Sequence, residues 1–94
     1  MRVRGLIWLR DVVDKLAWKH QVTTDEVEEA LTSTPSFRFL ERGDVRGEDL
    51  YAAMARTMAG RYLIIYFVFK KTGEALIISA REMTKKEKKA YAEK

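Results

Sequence analysis

Arg61-Tyr-Leu-Ile-Ile-Tyr-Phe-Val-Phe-Lys70 is an unbroken apolar run between two cations, rich in β-branched and aromatic residues. Glu74-Ala-Leu-Ile-Ile-Ser-Ala-Arg81 follows it after Lys71-Thr72-Gly73. A run of this composition, bounded by glycines, predicts a strand at the centre of a sheet with both faces covered. The three-residue connection ending in Gly73 suits a hairpin loop with glycine at the bulge, which pairs Lys70 with Glu74. On the other side, Ala59-Gly60 fits a two-residue turn that pairs Met58 with Arg61. Carried along the strands, these registers set Arg56, Leu63 and Arg81 in one row across three strands. Met54, Ile65 and Ser79 form the next row on that face. A one-residue slip in either turn moves an arginine to the other face.

The flanking sequence supplies the partners of this hairpin. Val3 to Trp8 forms a short strand. Asp11 is placed to cap a helix carrying Val12, Val13, Leu16 and Ala17 on one face, with His20 on the same face and Trp18 and Lys15 opposite. Thr23-Thr-Asp-Glu26 is a capping-box start for a second helix, whose apolar stripe is Val27, Ala30 and Leu31. Asp25, Glu26, Glu28 and Glu29 make its start acidic, and Pro35 follows its end. Phe37–Glu41 alternates as a strand, Arg42–Gly47 is a glycine-punctuated loop, and Leu50–Thr57 is a strand weakened by three alanines. Thr84-Lys-Lys-Glu87 is a second capping box. The helix it opens carries Ala90 and Tyr91 on one face, with Met83 just ahead of it on the same side, and Lys85, Lys88 and Lys89 on the other. The order β-α-α-β-β-β-β-α predicts an α+β fold: a single mostly antiparallel sheet with two N-terminal helices and one C-terminal helix. Residues 1–94 make one domain.

Cysteine is absent, which removes disulfides and thiolate metal sites, and a single histidine argues against a protein-only zinc centre. Nothing in the chain calls for a cofactor. The opening Met-Arg-Val-Arg lacks a signal-type apolar core and no apolar run reaches bilayer length, so the expectation is a cytoplasmic protein with no membrane contact. Eighteen basic and fourteen acidic residues leave a net +4. The basic residues concentrate in the tail (Arg81, Lys85, Lys86, Lys88, Lys89, Lys94) and the acids in the second helix. That separation fits a polyanion site with an acidic side away from it, and it equally fits ordinary solvated helices.

As a set, several segments are familiar. Trp8, Lys19-His20-x-Val22, Glu26 and Glu29-Ala30 are followed by Tyr51-Ala-Ala53, Arg56-Thr57 and Gly60-Arg61. The pattern closes with Ile77-Ile-Ser-Ala-Arg81, Met83-Thr84, Lys86-Glu87 and Tyr91. The chain resembles the BrnT family of type II toxins, within the wider RelE/ParE-like ribonuclease toxins. That resemblance implies a RelE/ParE-like fold and a metal-independent endoribonuclease that cleaves single-stranded mRNA. It also implies a ribbon-helix-helix, BrnA-like antitoxin as partner. Three positions depart from the family pattern: Leu16 for asparagine, Gln21 for the glycine after Lys-His, and Ala55 for the glycine before Arg56.

Metal-free RNA cleavage needs a base for the 2′-hydroxyl, cations on the phosphate and an acid for the leaving oxygen. The catalytic candidates are Arg81, Arg56, His20 and Ser79; Arg61, Lys19, Lys85, Lys88 and Lys89 are candidate contacts to the RNA backbone. Each has a plainer reading. Arg81 also suits a strand-end arginine pairing Glu82 or Glu87. Arg56 also suits a stem covering its neighbour, Ser79 a small residue at a sheet edge, and His20 a capping histidine. Tyr91 is either core or an acid at the sheet rim. The apolar excess at Tyr62, Tyr66 and Phe69 calls for cover by the last helix, an antitoxin segment or a second copy in a homodimer. The alternative function is a divergent, non-catalytic module that binds nucleic acid or protein.

Overall fold

A computed structural model describes residues 1–93. Five strands form one sheet: β1 (Gly5–Ile7), β2 (Ser36–Glu41), β3 (Leu50–Arg56), β4 (Tyr62–Phe69) and β5 (Glu74–Glu82). Their spatial order β1-β5-β4-β3-β2 puts the apolar run of β4 at the centre, as its composition requires. The sheet is mixed, which corrects the expectation of a mostly antiparallel one. β2 to β5 form an antiparallel meander, whereas β1 runs parallel to β5. The cause is the helical crossover: the chain leaves β1 at one edge, passes over the sheet as helices, and re-enters at the far edge as β2.

That crossover consists of α1 (Arg10–Lys15), which runs on as a π-helical turn over Leu16–His20, and α2 (Thr24–Thr32). Asp11 lies in the first turn of α1 rather than capping it; Leu9 holds the cap position and offers no side-chain acceptor. The π turn closes at Gln21 in the left-handed conformation, φ 50°, the one non-glycine residue with positive φ among those described. This accounts for the glycine that the resemblance leads one to expect there. Both capping boxes form. Thr23 accepts from the Glu26 amide at 3.1 Å and donates its own amide to Glu26 at 3.0 Å. Thr84 and Glu87 do the same at 3.2 and 2.8 Å, opening α3 (Lys85–Ala92).

The two faces of the sheet are unlike. On the inner face, Ala53, Ala55, Leu63, Ile65, Phe67, Ala75, Ile77 and Ala80 pack against Leu16, Val22, Val27, Ala30 and Leu31 of the helical crossover, forming the main core. The β3 alanines weaken strand propensity, but Ala53 and Ala55 let the helical layer sit close. On the outer face, Ala52, Met54, Ile64 and Met83 form a smaller cluster with Tyr62, Tyr66 and Tyr91. Among the described residues α3 is the element that covers that face, with the Tyr91 ring meeting Tyr62 edge-on at 6.0 Å.

Candidate functional site

Register decides which side chains share the outer face, and both expected rows are corrected. The β3–β4 loop holds three residues, Met58-Ala59-Gly60, closed by Thr57 and Arg61 and turned by Gly60 at φ 92°; Arg56 therefore faces Tyr62 instead of Leu63. On β5, Lys70 does pair with Glu74 and Phe67 with Ile77. Tyr66 then pairs with Ser79, leaving Ile78 as a bulged extra residue. The bulge advances Arg81 to Ile64. Each slip alone would have separated the arginines across the sheet. Together they move both to the face of Tyr62, Ile64 and Tyr66, with Ser79 beside Tyr66. Arg56 and Arg81 now lie two strands and two residues apart, about 12 Å between Cα atoms for ideal sheet spacings. They do not form one row over a single pivot.

Arg81 is held in place. Its Nη1 and Nη2 donate to the two carboxylate oxygens of Glu87 at 2.8 and 2.9 Å, and Nη2 also donates to the Tyr66 hydroxyl at 3.0 Å. The forked hydrogen bond from Arg81 holds the Glu87 carboxyl far down, at about 2, and the same bond raises the guanidinium's affinity for its proton. Of the two partners the sequence offered for the Arg81 side chain, Glu82 and Glu87, the fork chooses Glu87. Glu87 therefore serves two elements, because the oxygen that caps α3 also receives Arg81.

Around this pair the outer face is rich in cations. Arg56 lies over the Tyr62 ring at 5.3 Å and Lys88 over the same ring at 5.6 Å. Arg38 of β2 shares this face, opposite Ala52, and lines a groove of about 360 Å³ with Tyr66, Lys86 and Glu87. A second groove, about 470 Å³, runs on the far side of α3 past Arg56, Tyr62 and Tyr91. Among the described residues Arg38, Arg56, Lys85, Lys86, Lys88 and Lys89 make no ion pair. The acids Asp25, Glu28 and Glu29 belong to α2, in the layer on the other face, so the charge separation in the sequence becomes a separation across the sheet.

The other candidates fall outside this site. His20 ends the π turn, half-buried, and Lys19 is exposed beside it, both in the helical layer on the inner face. Arg61 points to that layer too. It donates to both Glu26 oxygens at 2.9 and 2.8 Å, to the Gln21 carbonyl at 2.8 Å and to Glu82 at 3.2 Å. Burial pushes the Glu26 carboxyl up, but the bonds from Arg61 and Thr23 outweigh it and hold it below the ordinary range. Arg61 thus fastens the start of α2 to the hairpin. Among the described residues no three His, Cys, Asp or Glu side chains gather as a metal-binding group, and no helix is long and apolar enough to cross a membrane.

Sequence reasoning passed over Arg38, Tyr66 and Lys86 as site residues, and weighed Glu87 only as a structural partner. Strand alternation held a signal for the first two, since Arg38 falls opposite Ala52 and Tyr66 two residues from Ile64. Both assignments needed the registers.

A family model described as "Ribonuclease toxin, BrnT, of type II toxin-antitoxin system" matches residues 13–87, a span that holds Arg38, Arg56, Tyr66, Arg81 and Glu87. None of the curated proteins matches the chain.

Proposed function

The chain belongs to the BrnT family of ribonuclease toxins of type II toxin–antitoxin systems, and we propose that its outer sheet face cleaves single-stranded RNA through side chains alone, without a metal ion. The observation that carries this reading is the Arg81 fork, shared by Glu87 and Tyr66 and set among Arg38, Arg56 and Lys86, which make no ion pair among the described residues. The fork is the right shape for two phosphate oxygens, which a carboxylate occupies in the free protein.

When a phosphodiester takes the fork, Glu87 loses the partner that holds its carboxyl low and regains ordinary basicity beside the substrate. In this reading Glu87 takes the 2′-hydroxyl proton, and the 2′-oxygen attacks the adjacent phosphorus. The bond to the 5′-oxygen breaks, with the Tyr66 phenol giving its proton to that oxygen. The products are a 2′,3′-cyclic phosphate and a 5′-hydroxyl. Arg81 stabilises the charge gathering on the phosphoryl oxygens, while Arg56 and the α3 lysines hold neighbouring phosphates. Ser79, paired with Tyr66, stands ready to donate a further hydrogen bond.

A type II toxin has an antitoxin partner, and in this reading it is a small ribbon-helix-helix protein that covers the same face. The test compares RNA degradation by wild type and Arg81→Ala, with product ends identified. Loss of cleavage by about a hundredfold or more is expected; equal activity removes the assigned site. One observation favours a second reading, a binding module without catalysis: Arg81 is already satisfied by Glu87. Growth arrest that persists in Arg81→Ala, with no RNA cleavage by wild type, would support that instead.

A further inference from the structure

The groove beside the Arg81 pair is more than a gap left by loose packing. Its floor is Ala52, Met54 and Ile64, all buried, and one wall is the Tyr66 side chain. Small side chains contribute to its lining from two elements, Ala52 on β3 and Ala90 on α3. A leucine at either position would project three further carbons into that space. One cation stands on each side, Arg38 from the edge strand and Lys86 from α3. At about 360 Å³ the space is near the lower end for small-molecule sites and enough for a single ring system.

We propose that this groove is a nucleobase subsite that takes one unstacked base next to the phosphate at Arg81. The proposal rests on the reading above that this face engages RNA, and it names the part of the substrate that side chains other than the reacting ones recognise. An apolar floor with an aromatic wall matches the π-face of a base. Cations from two different elements match the phosphates on either side of it, and single strands are commonly held by this pairing of stacking and charge. Because Tyr66 both walls the groove and binds Arg81 through its hydroxyl, a seated base fixes the adjacent linkage relative to the fork.

The probe is a fluorescently labelled single-stranded RNA with 2′-O-methyl riboses, which binds but lacks the attacking hydroxyl, alongside the same backbone without bases. Ala52→Leu and Ala90→Leu narrow the groove, one from its floor and one from α3; Ala90 is on a helix where leucine is well tolerated, which guards against a folding artefact. Both variants are expected to bind the RNA roughly tenfold or more weakly, the scale of one lost stacking contact, and to bind the base-free backbone like wild type. Variants that bind the RNA as wild type does, or that lose the base-free backbone equally, overturn the subsite. So do variants that keep RNA affinity and lose only inhibition by the antitoxin, since the groove would then seat the protein partner. If wild type distinguishes bases but leaves unmodified RNA intact, the nuclease reading fails and the subsite stands. If wild type cleaves and the narrowed variants bind normally, the reverse holds.

Discussion

Replacing Glu87 with glutamine removes the charge that holds Arg81 while keeping a side chain able to complete the α3 capping box. The carboxyl sits at about 2 in the folded protein against an ordinary 4.5. That difference corresponds to at most about 3.5 kcal/mol. Both partners are partly exposed, with 34 % of the Arg81 side chain and 25 % of the Glu87 side chain open to solvent, so water and salt reduce the contribution to about 1–2 kcal/mol. A carboxyl depressed on folding stabilises the native state fully above its unfolded value, and that stabilisation fades as pH falls from about 4.5 towards about 2. Urea unfolding of wild type and Glu87→Gln across this range isolates the contribution, because Glu26 and Glu48, also held low, are common to both proteins. The variant should be about 1–2 kcal/mol less stable at neutral pH, and the gap should close below about pH 2.

The same substitution separates two roles on RNA. An amide competes less well than a carboxylate for the guanidinium fork, so affinity for an uncleavable RNA should rise several-fold. If Glu87 is also the base, cleavage should slow by about 10²–10⁴-fold. Weaker RNA binding by Glu87→Gln would refute the argument that the carboxylate occupies the phosphate's place. A stability gap that does not change with pH would refute the ion-pair account of α3.

Three further outcomes follow from the geometry. Arg61→Ala should lower stability by about 2 kcal/mol, because it strips a half-buried Glu26 of its partner; denaturant unfolding measures this, and RNA affinity should change little. Gln21→Gly should raise stability by roughly 0.5–1 kcal/mol, since relief of the left-handed strain exceeds glycine's extra chain entropy; a loss of stability would mean the 3.3 Å bond from the Gln21 side chain to the Trp18 carbonyl matters more. Arg56→Gln should weaken RNA binding alike for every sequence and lower the salt slope of binding by about one; an unchanged slope would remove Arg56 from the phosphate contacts.

The elements were legible because their signals are local. Both capping boxes lie within four residues, and the β4 run is apolar without interruption, so helix starts and the central strand could be placed from sequence. The parallel pairing of β1 with β5 was not legible, because it depends on which edge a helical crossover returns to. Nor were the registers. Met58-Ala59-Gly60 offers a glycine that serves a two-residue or a three-residue turn, and Ile78 sits inside an apolar run with nothing to mark it as a bulge.

The candidate site depended on that illegible part. Which face an arginine occupies alternates with every residue of slip, so two unmarked slips decided the position of each arginine while leaving both on one side. Both slips are of one residue, so the arginines keep a shared face and lose a shared row. The partner of Arg81 shows the complementary limit. Thr84-x-x-Glu87 announces a helix start by short-range hydrogen bonding, and that signal fully accounts for Glu87 on its own. Its second use, across six residues to a strand, appears only once the bulge has turned Arg81 outward under the start of α3. A residue with one sufficient local explanation is where a functional role is hardest to see in sequence, and removing its charge while preserving its capping tells the two uses apart.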